Sequence, residues 1–94
     1  MTPYAEILAE RERQDEKWGP VSRFKSQGFE RALVILMEEV GEAARAVLEM
    51  HPVQNRLPGD WRGQARRELI QVAAVAVAII EYIDLKEADD DHSN

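Results

Sequence analysis

The sequence predicts an all-α, single-domain helical bundle, and three observations carry that prediction. Apolar residues recur at helical spacing over two long stretches, residues 29–50 and 62–86. The breakers cluster between stretches rather than inside them, at Gly19-Pro20, Pro52 and Pro58-Gly59. Cap-type residues stand at the helix starts, Thr2 before Pro3 and Asp60 before the third stretch.

Each element follows from local signals. Thr2 followed by Pro3 marks a helix start: the threonine hydroxyl can accept from a free first-turn amide, and proline is tolerated at the first helical position. This helix should run to about Trp18, where Gly19 and Pro20 end it. Its apolar content is thin, Tyr4, Ile7, Leu8 and Trp18 among many charges, so it should lie on the surface of the bundle. Residues 19–28 (GPVSRFKSQG) read as a loop, with Ser26 a candidate cap for the second helix. That helix, 29–50, should stop before Pro52, which disfavours helical geometry at His51. Residues 51–60 form a second loop in which Pro58-Gly59 turns and Asp60 can cap the third helix. The third helix is the longest and should reach about Ala88, so residues 1–88 form the domain and the acidic tail 89–94 (DDHSN preceded by Asp89) is expected to be disordered.

The third helix is apolar on both sides: Val72, Val75 and Ile79 on one, Ile70, Ala73, Val77 and Ile80 on the other. A helix apolar all round must be covered all round, and 94 residues supply little with which to cover it. The bundle should therefore be completed by oligomerisation, as a homodimer or a dimer of dimers, with Ala73, Ala74, Ala76 and Ala78 allowing close approach of symmetry-related helices.

Composition narrows the function. A net charge of −6 argues against nucleic acid as a partner, since phosphate backbones need a concentrated basic surface. The one strongly apolar run, residues 69–80, is too short for a membrane span, which needs roughly twenty residues. The absence of cysteine fits a reducing interior, and a cytoplasmic location is the expectation.

The chemistry lies in misplaced carboxylates. With about 100° of rotation per residue, Glu39 falls at the centre of the apolar stripe made by Ala32, Ile35, Leu36, Ala43, Ala46 and Val47, while Glu42 and Glu38 fan toward its polar edge. On the third helix Glu68 falls between Ala65, Val72 and Val75, with Gln71 beside it. Burying an unpaired carboxylate costs several kcal/mol, so each must be paired, protonated or given a cation. Pairing with Arg31, Arg45, Arg66 or Arg67 is one solution. A divalent cation held by Glu39, Glu42, Glu68 and Gln71 is the other, and an all-oxygen donor set suits Mg²⁺ or Mn²⁺ rather than Zn²⁺.

The run EEVGE at 38–42, followed by Glu68 at the head of the next apolar helix, resembles the signature EExxE then ExxD of the all-α nucleotide pyrophosphohydrolases of the MazG type, which resemble the dimeric dUTPases in their helical metal site. RQDEKWG at 13–19 and ELIQVAAVAVAIIEYID at 68–84 also look like small MazG-like proteins. The resemblance implies the all-α NTP pyrophosphatase fold, with Glu39 and Glu42 as the first metal-binding pair and Glu68 as the acid of the second. Gln71 stands where the family has aspartate; its oxygen can coordinate Mg²⁺ but brings no charge, which lowers the expected metal affinity or leaves Gln71 acting through water. The implied reaction is hydrolysis of a nucleoside triphosphate to the monophosphate and pyrophosphate. Glu38 would then orient or deprotonate the attacking water, or else be an exposed acid paired with Arg31 or Arg45. Arg13, Lys17, Arg23 and Lys25 could neutralise phosphates or form a solvated charge cluster, and Trp18 could stack on the base or anchor the bundle. A non-catalytic helical module for nucleotide sensing or protein interaction is the alternative.

Overall fold

In the computed structural model, which describes residues 2–50 and 61–92, the chain forms four helices: α1 Pro3–Trp18, α2 Arg23–Gln27, α3 Phe29–Met50 and α4 Trp61–His92. No strand occurs among the described residues, and none of their helices is long and apolar enough to cross a membrane.

The start of α1 is as the sequence dictates. Thr2 Oγ1 accepts from the Ala5 N–H at 3.2 Å and Pro3 takes the first helical position. Gly19 ends the helix at φ 93°, a conformation that L side chains rarely adopt, and its N–H donates to the Asp15 carbonyl at 2.9 Å.

The loop expected at 19–28 contains a short helix instead. The carbonyls of Pro20 and Val21 accept from the N–H groups of Arg23 and Phe24, both at 3.0 Å, and the turn so formed delivers Phe24 into the core. Ser26 therefore does not cap the following helix; it sits within α2, and its Oγ donates to the Arg23 carbonyl at 3.1 Å. Gly28, at φ 96°, closes α2 and lets α3 begin at Phe29, where the periodicity puts it.

At the other end, α4 runs past Ala88 into the acidic run as far as His92, where disorder was expected. No glycine or proline interrupts Ala88 to His92, so nothing in the backbone forces a stop. The expected turn at Pro58-Gly59 and the Asp60 cap lie outside the described residues.

Helices α3 and α4 pack antiparallel, since Phe29 meets Tyr82 at one end while Glu39 and Glu42 meet Glu68 toward the other. The core is built where α2 tucks under them: Phe24, Ala32, Ala78, Ile79 and Tyr82 are buried, with Val21, Phe29, Leu36 and Val75 against them. Tyr82 is its hub, stacked on Phe29 at 5.9 Å and edge-on to Phe24 at 5.8 Å. Ala43, Ala46 and Ala65, small and buried, keep the two backbones close around the acids.

Helix α1 lies along α4, tied by a Glu6–Arg66 ion pair and, further on, by Arg11. Its burial is polar, which its thin apolar pattern concealed: Arg11 is 3% exposed and Gln14 2%. Arg11 Nε donates to Glu81 Oε1 at 3.0 Å, and Arg11 Nη1 lies 3.0 Å from Asp15 Oδ1, so one buried guanidinium joins two helices.

Of the four alanines expected to face a symmetry-related copy, Ala74 and Ala78 are buried within the chain, 0% and 1% exposed, while Ala73 and Ala76 are half-buried. Exposed apolar side chains lie on both long helices: Leu33, Met37, Val40 and Leu48 recur at helical spacing on α3, and Leu69, Ile80, Ile83 and Leu85 are exposed on α4.

Candidate metal centre

Three of the carboxylates singled out by the helical arithmetic come together. Glu39 and Glu42 project from α3 and Glu68 from α4, each offering an oxygen such that all three lie within 4.8 Å of one another. Glu39 and Glu68 are half-buried and Glu42 is exposed, so the cluster opens toward solvent on one side. Gln71 is half-buried one turn beyond Glu68, on the same side of α4. Glu38 is exposed beside Glu39.

The electrostatics of the cluster are those of crowded anions. The Glu39 carboxyl is held above its ordinary range first by burial and then by the negative charges of Glu42, Glu68, Glu38 and Glu10. Glu39 Oε2 and Glu68 Oε2 are both buried and accept no hydrogen bond among the described residues. Arg66, one of the four arginines that could have neutralised the acids, pairs with Glu6 instead. Arg31 turns to a neighbouring cleft.

Buried anionic oxygens without donors, converging from two helices, are a donor set complementary to a hard divalent cation. Among the described residues the cluster holds carboxylate oxygens alone. Mg²⁺ and Mn²⁺ match that chemistry.

One turn along α3 from Glu39 a cleft of 430 Å³ begins, lined by Gln14 and Trp18 of α1, Arg23, Phe24 and Gln27 of α2, Arg31, Ala32 and Ile35 of α3, and Val75 and Ala78 of α4. A drug-sized or nucleoside-sized molecule fits such a volume. The family models, curated proteins and solved structures compared with this chain give no match.

Of the residues expected to meet a substrate, Trp18 lines the cleft, at its rim and 49% exposed. Arg13 and Lys17 do not line it. Arg13 Nε donates to Glu10 Oε1 at 2.8 Å, and Lys17 Nζ stands 5.0 Å from the centroid of the Trp18 ring, a cation–π contact. Gln14 and Trp18 share a face of α1 at i, i+4, and Arg13 and Lys17, each one residue earlier, are turned about 100° away from it. Sequence reasoning missed Gln14, Gln27 and the cleft-facing role of Arg31. It also missed Glu10, whose charge reaches Glu39 from α1. The one available signal was the i, i+4 spacing of Gln14 and Trp18, which sets them on one face of α1.

Proposed function

We propose that the chain is a Mg²⁺-dependent nucleoside triphosphate pyrophosphohydrolase of the MazG-like type. The observation that carries the reading is the pair of buried oxygens without donors, Glu39 Oε2 and Glu68 Oε2, in a three-carboxylate cluster one helical turn from a cleft.

Glu39, Glu42 and Glu68 would hold the cation, with Gln71 contributing a neutral oxygen. When bound, Mg²⁺ supplies polarisation of a phosphoryl oxygen and acidification of a water. The protein's own groups do the rest. Arg31 and Arg23, which line the cleft, supply positive charge toward the phosphates, and Trp18 supplies a flat surface at the rim for the base. Glu38, exposed and next in sequence to Glu39, would orient the attacking water and accept its proton. The products are a nucleoside monophosphate and pyrophosphate.

The proposal includes a homo-oligomer. Leu33, Met37, Val40 and Leu48 make an apolar stripe on α3, and a second copy of the same helix would cover it.

The test is pyrophosphate release from a panel of canonical and modified nucleoside triphosphates, with and without Mg²⁺. Mg²⁺-dependent release from at least one member, lost in Glu39→Gln and Glu68→Gln, supports the enzyme. Mg²⁺-dependent nucleotide binding without release would instead make the chain a sensing module.

A further inference from the structure

The cleft contains one polar group whose orientation is dictated by its neighbour. Gln14 is 2% exposed, yet it lines the cleft. Its Oε1 accepts from Arg11 Nη1 at 3.4 Å. A guanidinium has donors and no acceptor, so the end of the carboxamide that faces Arg11 must be the oxygen.

Arg11 is itself immobilised. It is 3% exposed, donates through Nε to Glu81 at 3.0 Å and through Nη2 to Asp15 Oδ2 at 3.2 Å, and bridges α1 to α4. The Gln14 amide therefore cannot exchange its two ends without setting N–H against N–H. Its Nε2 is left as the free end, and it donates to none of the described residues. The cleft it lines is walled by Phe24, Ala32, Ile35, Val75 and Ala78, with Arg23, Gln27 and Arg31 as its other polar residues. A donor held at the wall of a cleft without a protein partner is available to whatever arrives with an acceptor.

We propose that Gln14 is the specificity-determining residue of this cleft, reading a ring substituent as a hydrogen-bond acceptor and so favouring bases that present an oxo group over otherwise similar bases that present an amino group. This rests on the reading of the cleft as a nucleotide site. The discrimination comes from leaving a donor unpaired against a donor, the situation in which a binding site rejects an analogue most strongly.

The test uses two matched pairs, uridine against cytidine and inosine against adenosine, each as nucleoside and as triphosphate. Binding is measured by calorimetry and pyrophosphate release is followed in the same samples with Mg²⁺. The oxo member of at least one pair should bind about tenfold tighter, the worth of one well-placed hydrogen bond in a dry site. Gln14→Glu should reverse the preference, because Arg11 would pin one carboxylate oxygen and leave the other as an acceptor. Gln14→Met, of similar volume, should level it, and thermal melting of both variants reports whether the fold is retained.

Equal affinities within both pairs, or an unchanged preference in folded Gln14→Glu, would overturn the assignment. Pyrophosphate release that ignores Gln14 would sink this inference and leave the hydrolase reading standing. Gln14-dependent binding without release would do the opposite, and no binding by any of the eight compounds would end both.

Discussion

Glu39 on α3 and Glu68 on α4 each keep one carboxylate oxygen buried and without a donor while their side chains approach within the same 4.8 Å cluster. Two anions so placed repel each other across an antiparallel helix pair, and the fold brings them together nonetheless. Ala43, Ala46 and Ala65 are buried around them, so the close approach is built in by small residues rather than tolerated at a loose edge.

Because the Glu39 carboxyl is pushed up by burial and by Glu42, Glu68, Glu38 and Glu10, the folded state holds a proton there at pH values where the unfolded chain has released it. The cation-free protein should therefore gain stability as pH falls through the window between the unfolded and folded values, and lose it as pH rises back through the same window. Glu39→Gln should remove this dependence and raise cation-free stability at neutral pH by about 0.5–1 kcal/mol through relief of like-charge contacts. Thermal melts at several pH values in chelator, for the wild type and the variant, check it.

Arg11 should matter more to stability than any surface charge. Its removal as Arg11→Met deprives Glu81 and Asp15 of their shared partner and Gln14 Oε1 of its donor. Since Glu81 and Asp15 are about half exposed and can rehydrate, the cost should be about 1–3 kcal/mol rather than that of a fully buried pair. Urea unfolding measures it, and Arg66→Met, which breaks the solvent-exposed pair with Glu6, should cost clearly less in the same assay.

Tyr82→Ala should be among the most damaging single changes in the chain. It removes the ring that touches both Phe24 and Phe29 and leaves a cavity where α2, α3 and α4 meet. An aromatic deleted from a core costs about 3–5 kcal/mol. Helical circular dichroism followed against temperature should show a large drop in the melting midpoint.

Met37→Glu and Val40→Glu, at exposed positions of the α3 stripe, should leave the helical content intact and convert the protein to a monomer. Sedimentation velocity reports the outcome. A wild-type chain that already sediments as a monomer would remove the oligomer from the account.

The sequence made the long helices readable, and the acid cluster with them. Glu39 and Glu68 were visible because an acid at the centre of an apolar stripe breaks a 3.6-residue pattern that is otherwise strong, and the Thr2-Pro3 start is a purely local signal. What stayed hidden depends on partners distant in sequence. Phe24 makes α2 a helix by docking on Tyr82, 58 positions away, and nothing within residues 19–28 announces it. Arg11 and Gln14 belong to a helix rich in charge, and the burial of Arg11 rests on Glu81, 70 positions away. The direction of the small-residue face of α4 was ambiguous for the same reason: alanines permit close packing without saying against which neighbour, and Ala74 and Ala78 are buried within the chain.

The most direct measurement is a Mn²⁺ titration followed by electron paramagnetic resonance, with Mg²⁺ competition, on the wild type and on Glu39→Gln and Glu68→Gln. The account predicts one Mn²⁺ site per chain, displaced by Mg²⁺, with affinity falling at least tenfold in either variant. Mn²⁺ that stays free in the presence of the folded wild-type protein, or a site that both variants retain unchanged, would contradict it.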